Sequence, residues 1–357
     1  MLRPHLFQRI HCHRFNLHRF THGLTACALA LGLSQAVAGT GFTRLATDAS
    51  PVTVLYPSDA PEQPIRTGWM HTPLAQDGPP AQGNGRLVVI SHGSGGGPWV
   101  HLDLARRLVA AGFVVAFPQH HRDHSGDSSD PGPNSWSLRP DEVRQAIDAV
   151  LADGRWGGLD ARRVGLYGGS AGGHTALSLA GGRWSPARFE RHCNEHLDED
   201  FAACSGLYVS LKGNGLDGLK RWGVRRVIQW RFASDERLRE DHDPRIGAIV
   251  AAVPFAADFD PDSLQQPRVP LGLVNALQDR WLKPRFHGLR VAQACVPCED
   301  LGTLPDAGHS AMLSPLPPLG NNPLGDLLSD PSGFDREHEL PQVDARIVAF
   351  FQRHLLP

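Results

Sequence analysis

Three observations predict an α/β fold, with a mostly parallel twisted sheet, helices on both faces and one cap-like insertion. Five short runs, Arg86–Ser91, Phe113–Phe117, Val164–Tyr167, Ile246–Val253 and Val269–Leu277, are almost wholly apolar, as strands covered on both faces must be. Helical patterns separate several of them, and strand–helix–strand order implies parallel crossover units. Between Val164 and Leu177 an apolar run breaks into Gly168-Gly-Ser170-Ala-Gly172 and then resumes as a helix former. That reads as strand, very tight turn and helix, with a single serine at the turn.

The chain has 357 residues, 41% hydrophobic and 20% charged, enough to bury a large core, and its formal charge is −2. No basic surplus points to nucleic acid or to an anionic membrane surface, so a small neutral partner is the default expectation. Residues 1–38 differ from the rest. A His/Arg-rich segment to His22, the apolar Gly23–Leu33 and the Ala36-Val-Ala38 site have the order of a secretory signal cut after Ala38. Its apolar core is too short to cross a bilayer, and no stable membrane insertion is expected elsewhere. The mature chain 39–357 is therefore expected as one soluble domain in a periplasmic or extracellular space.

Removing the signal leaves Cys193, Cys204, Cys295 and Cys298, an even set suited to an oxidising compartment. Of the three connectivities, the local one, Cys193–Cys204 with Cys295–Cys298, is preferred. Cys295-x-x-Cys298 falls between a helix and a strand, which favours a structural bridge over a redox site.

In chain order, Pro51–Pro57 and Ile65–Met70 are predicted as short strands of an antiparallel edge. Strand Arg86–Ser91 ends in Ser91-His-Gly-Ser-Gly-Gly-Gly97, followed by a helix over Trp99–Ala111 and strand Phe113–Phe117. The glycine run lacks both nucleotide-binding spacings, but a turn that exposes backbone N–H groups suits a developing oxyanion. His120, His121, Asp123 and His124 follow in a loop where local hydrogen bonding is a better reading than metal binding. Arg139–Leu151 is an amphipathic helix with proline near its start. From 181 to 243 the alternation stops, and the segment carries Trp184, Phe189, Phe201, Trp222, Trp230 and Phe232 with one cysteine pair. An insertion of that length between sheet strands can cap a pocket, or its aromatics can simply pack its own helices. Two strands then end near acids, Asp258 and Asp279. Helix Arg285–Ala294, strand Glu299–Leu304, the turn Pro305-Asp-Ala-Gly-His309 and helix Val343–His354 complete the chain.

Serine, then a carboxylate, then a late histidine is the chain order of a nucleophile–acid–base triad on a strand–turn–helix elbow. A serine hydroxyl is a poor nucleophile unless an imidazole takes its proton and a carboxylate orients that imidazole. Ser170 and His309 fill the first two roles. Asp279 is favoured over Asp258 as the acid, and Asp306 lies too near His309 along the chain. His174, four residues past Ser170, is expected to pack behind it.

The stretches Ile90-Ser-His-Gly-Ser-Gly-Gly96, His121-Arg-Asp-His-Ser125, Gly168-Gly-Ser-Ala-Gly-Gly-His-Thr-Ala-Leu177 and Asp306-Ala-Gly-His309 resemble the dienelactone hydrolase-like and platelet-activating-factor acetylhydrolase-like branch of the α/β-hydrolases. The resemblance covers roughly Pro51 to His354. It implies an oxyanion hole made by the backbone N–H groups of Ser94 and Ala171, an ester substrate and no cofactor or metal. Dienelactone hydrolases proper carry cysteine where this chain has Ser170, so lactone specificity does not carry over. The acetylhydrolases place their acid where this chain has Pro254-Phe255, which again favours Asp279. The resulting expectation is a serine esterase acting on a small-molecule ester. A serine peptidase on the same fold and a catalytically silent binding module are the alternatives, and the oligomeric state is left open.

Overall fold

The computed structural model describes residues 39–47, 50–321 and 323–356. The expected signal segment, 1–38, lies outside the described residues. Ten strands form one sheet: β1 (Gly39–Leu45), β2 (Val52–Ser58), β3 (Gln63–Thr67), β4 (Met70–Gln76), β5 (Leu87–Ser91), β6 (Val114–Pro118), β7 (Val164–Gly169), β8 (Ile246–Ala252), β9 (Leu271–Ala276) and β10 (Glu299–Leu304). Their spatial order is β10-β9-β8-β7-β5-β6-β2-β1-β4-β3. From β6 through β10 every pairing is parallel, whereas β2 joins β6 and β1 antiparallel and β3–β4 is an antiparallel hairpin. This is an α/β fold with a mostly parallel sheet, as the apolar runs predict.

The helices are α1 (Leu102–Ala110), α2 (Pro133–Ala152), α3 (Ala171–Leu179), α4 (Pro186–His196), α5 (Phe201–Ser205), α6 (Asp217–Phe232), α7 (Gly288–Ala294), α8 (Pro323–Leu328) and α9 (Arg336–Leu355). Side chains alternate across each strand, so β5 sends Leu87 and Val89 into one core with α2 and α3, and Val88 and Ile90 into another with α1 and α9. Both faces of the central strands are therefore covered, which is why β5 through β9 read as continuous apolar runs. The edge strand β3 carries Pro64 and an exposed Arg66, which discourage pairing with another chain.

Several elements differ from the sequence reading: β1 and α8 are not expected from it, and α7 begins at Gly288 rather than Arg285, after a 3-10 turn over Pro284–Phe286. Ile65–Met70 is not one strand: Ile65–Thr67 end β3, Met70 opens β4, and between them Gly68, with φ 61°, and Trp69 make the hairpin turn. Helix α2 starts at Pro133, six residues before the expected Arg139, and carries Pro140 in its interior. Helix α9 begins at Arg336, where the Asp335 side chain accepts from the His338 N–H, rather than at Val343. Residues 181–243 fold as α4 to α6, and the two disulfides are those expected, Cys193–Cys204 and Cys295–Cys298.

Candidate active site

Register brings the turns together. Ser91 at the end of β5 lies beside Gly168 of β7, Ala252 of β8 beside Gly169, and Ala276 of β9 beside Leu304 of β10. The segments that follow β5, β7, β9 and β10 consequently leave the same edge of the sheet. That edge holds Ser94, Ser170, Asp279 and His309.

Ser170 sits between β7 and α3 with φ 55° and ψ −115°, a left-handed backbone that a serine adopts only under constraint. The flanking glycines make the turn possible. A Cβ on Gly168 would stand 1.9 Å from the Gly172 carbonyl oxygen, and one on Gly172 1.9 Å from the Ser91 carbonyl oxygen. The Ser170 N–H donates to Ala252, and its carbonyl accepts from Phe255 and His174. The strained turn is thus pinned on three sides.

The Ser170 hydroxyl donates to His309 Nε2 at 3.0 Å, and His309 Nδ1–H donates to Asp279 Oδ2 at 2.7 Å. The other Asp279 oxygen accepts the Trp281 and Leu282 N–H groups at 2.7 and 2.9 Å, which fixes the carboxylate's orientation. Asp258 is spent elsewhere. It receives His174 Nε2–H at 3.0 Å in a fully buried pair, with Trp136 stacked on the imidazole, so His174 does pack behind the elbow. The His309 loop is held by Arg336, whose guanidinium donates to the Ser310, Ala311 and Leu313 carbonyls and pairs with Asp330. Arg336 carries no signal in the sequence, since an arginine opening a helix gives no local sign of carbonyl partners more than twenty residues upstream.

The turn after β5 is built on two buried networks. A Cβ on Gly93 would lie 3.3 Å from the Ser170 Cβ, so the turn packs directly on the elbow. The Ser94 hydroxyl and the Gly95 N–H both donate to Asp123 Oδ1, at 2.5 and 3.0 Å. Arg139 donates to Asp123 Oδ2 at 2.8 Å and to the His92 carbonyl at 2.5 Å, with both ions fully buried. Burial disfavours the Asp123 carboxylate, but the Arg139 charge and the hydrogen bonds from Ser94, Arg139 and Ser135 outweigh it and hold its pKa below the usual range. Among the described residues no acceptor engages the Ser94 N–H. Ala171 is the first residue of α3, where an N–H has no partner within the helix. Two donors therefore flank Ser170.

Beneath this turn Ser91 donates to His120 Nε2 at 2.8 Å and His120 Nδ1–H to Glu142 at 2.6 Å. The order repeats hydroxyl, imidazole, carboxylate, yet Ser91 and His120 are both fully buried and cannot meet a substrate. Desolvation, reinforced by the Arg139 charge, drives the His120 pKa well below that of free histidine. His120 and Asp123 of the His120–His124 loop are thus committed to hydrogen bonds, in keeping with the non-metal reading.

Among the described residues one cluster could reach a cation: His192, Asp200 and His287, whose ligand atoms lie within 4.8 Å of one another. Its protons argue against that use. The Ala256 N–H donates to His287 Nδ1 at 3.0 Å, so the ring's proton is on Nε2, the atom aimed at Asp200. A neutral imidazole cannot ligate through a protonated nitrogen. Asp200 instead accepts from both imidazoles at 2.9 Å and from the Lys283 N–H, tying α4 and α5 to the segment before α7.

A serine hydroxyl facing an imidazole that a carboxylate orients, with two N–H donors alongside, can attack a carbonyl carbon and hold the resulting oxyanion. No model of a protein family matches the chain, and no curated protein matches it either.

Proposed function

We propose that the protein is an exported serine hydrolase that cleaves carboxylic esters on an α/β-hydrolase fold. The observation that carries this reading is the Ser170–His309–Asp279 relay at a left-handed elbow, with hydrogen bonds of 3.0 and 2.7 Å. Ser170 Oγ attacks the acyl carbonyl carbon while His309 Nε2 takes its proton. Asp279 holds the imidazole in the required tautomer and stabilises the imidazolium. The oxyanion is received by the Ser94 and Ala171 N–H groups, a role the buried Asp123–Arg139 pair supports by fixing the turn. Collapse expels the alcohol, which takes the proton from His309. Water, deprotonated by the same imidazole, then cleaves the acyl-enzyme, so every proton has a carrier and no cofactor is required.

The resemblance to dienelactone hydrolase-like and acetylhydrolase-like enzymes supports both fold and substrate class. The two disulfides are compatible with the oxidising compartment that the His/Arg-rich leader implies. The insertion 181–243 is assigned as a cap, since Tyr208 Oη donates to the Ser128 carbonyl and Arg231 pairs with Asp130 on the loop that carries Asp123. The test uses short p-nitrophenyl esters and a fluorophosphonate. The wild type should turn over the esters and be labelled, and Ser170→Ala should lose both. A folded wild type that is neither labelled nor active would leave a binding module instead.

A further inference from the structure

Helix α6 carries two apolar stripes on opposite sides. Val224, Ile228 and Phe232 face inward, where Phe232 meets Phe189 of α4 with ring centroids 5.7 Å apart. Leu219, Trp222, Val227 and Trp230 face outward, and Trp230 is 84% exposed and Trp222 59%. A tryptophan that gains nothing from the fold at its own position is expensive to leave in water, and a contiguous set of such side chains marks a docking face. Leu216, just before the helix, and Tyr208 on the preceding loop extend it.

The charge on the same helix is one-sided: Lys220, Arg221, Arg225, Arg226 and Arg231 against Asp217 alone. Asp217, Asp198 and Asp130 answer Lys220, Arg221 and Arg231. Arg225 and Arg226 are exposed and have no anionic partner among the described residues. The net charge of −2 for the whole chain conceals this local excess.

We propose that the outer face of α6 docks the protein on an anionic phospholipid surface, lying in the plane of the headgroups. Indole rings prefer that boundary, where one end is apolar and the other wet, and unpaired guanidinium groups beside them meet lipid phosphates. The inward stripe clamps the helix to α4, so the face is presented without any rearrangement. A second copy of the chain is a poorer occupant. A twofold contact through this face presses the same basic surface against itself and supplies no acidic partner for Arg225 or Arg226, a like-charge juxtaposition. The face adjoins the loop that positions Ser94, through Arg231–Asp130 and Tyr208–Ser128, so docking places the site edge next to the surface. Binding is independent of ester turnover and is read without it.

The experiment is sedimentation of the protein with sucrose-loaded vesicles of phosphatidylcholine alone or with about one-third phosphatidylglycerol. The wild type should partition onto the phosphatidylglycerol vesicles, with tryptophan emission shifting to the blue and binding weakening as salt rises. Trp222→Ser with Trp230→Ser should lower the partition coefficient about tenfold or more. Arg225→Gln and Arg226→Gln should each lower it about fivefold on anionic vesicles only. Circular dichroism and thermal melting confirm that these exposed-site variants remain folded. No sedimentation of the wild type with anionic vesicles, or equal binding by the double tryptophan variant, overturns the proposal. So does a dimer in light scattering that the tryptophan substitutions dissolve, which would identify a second copy as the occupant.

Discussion

At Ser170 the backbone gives up one to a few kcal/mol of conformational preference to hold its hydroxyl clear of the sheet edge. The Ser170 N–H bond to the Ala252 carbonyl, and the Phe255 and His174 N–H groups that donate to the Ser170 carbonyl, keep that conformation in place. Two aspartates follow consecutive strands, and their partners separate them: Asp279 meets His309, Asp258 meets His174. Asp279→Asn should lower kcat for p-nitrophenyl esters by about 10⁴, because an amide presents the imidazole with the wrong hydrogen-bonding pattern and cannot stabilise its cation. Asp258→Asn should leave kcat near wild type while costing about 2 kcal/mol of stability at a buried pair. Steady-state kinetics beside thermal melts distinguish them, and a kcat loss confined to Asp258→Asn would reverse the assignment. Chain order alone offered both acids. The choice between them is a matter of where His174 and His309 stand, and residues 84 and 30 positions apart leave no local trace of contact.

Among the elements, those that the sequence declares are the ones whose surroundings constrain every residue. β5 through β9 are buried on both faces, so nearly every position had to be apolar, and the glycines of the elbow are dictated by carbonyl oxygens less than 2 Å from where a Cβ would be. Elements shaped by distant partners were hidden. The start of α2 was obscured by Pro140, a helix-starting signal that here lies in the interior, and Arg139 beside it gave no hint of its ion pair with Asp123. The cysteine pairing was legible because loop closure favours near neighbours. Its energetic weight follows from the same argument. The Cys193–Cys204 bridge spans 11 positions, which corresponds to about 3 kcal/mol of unfolded-state entropy, and Cys295–Cys298 spans 3, or about 2 kcal/mol. Cys193→Ser should therefore lower Tm more than Cys295→Ser, and reductant should lower the Tm of each variant further, since each keeps the other bridge. Equal losses would mean that the Asp200 cluster, which already anchors α4 and α5, makes the longer bridge redundant.

For the molecule as a whole, the buried titratable groups set the response to acid. Desolvation lowers the pKa of His92 and His120 well below the free value and that of His101 to about 4, so all three are neutral in the fold. As pH falls below about 6.5 the unfolded chain takes up protons that the folded one refuses, and each of these histidines subtracts stability. Two carboxyls act in the opposite sense. Burial raises Glu142, and it raises Asp344, on α9, to about 7 although Arg107 of α1 lies 3.4 Å away, because that arginine is half-exposed and its charge is shared with water. A raised carboxyl favours the fold when protonated, so both partly offset the histidines as the pH falls, Asp344 from about pH 7 downward. Below about 4 their contribution is complete. Asp123 and Asp200, whose ion-pair and hydrogen-bond partners outweigh burial and depress them, then begin to lose the stability they supply as charged groups. Thermal melting from pH 8 to pH 3 at fixed ionic strength should therefore show a shallow fall below about 6.5 that steepens below about 4. Asp344→Asn removes the cost of ionising a buried carboxyl, so it should raise Tm at pH 8 by the equivalent of about 2 kcal/mol or more and leave it nearly unchanged at pH 4. Its melting profile should consequently fall more steeply than that of the wild type between those limits, and a variant less stable at pH 8 would show that the Arg107 contact outweighs desolvation.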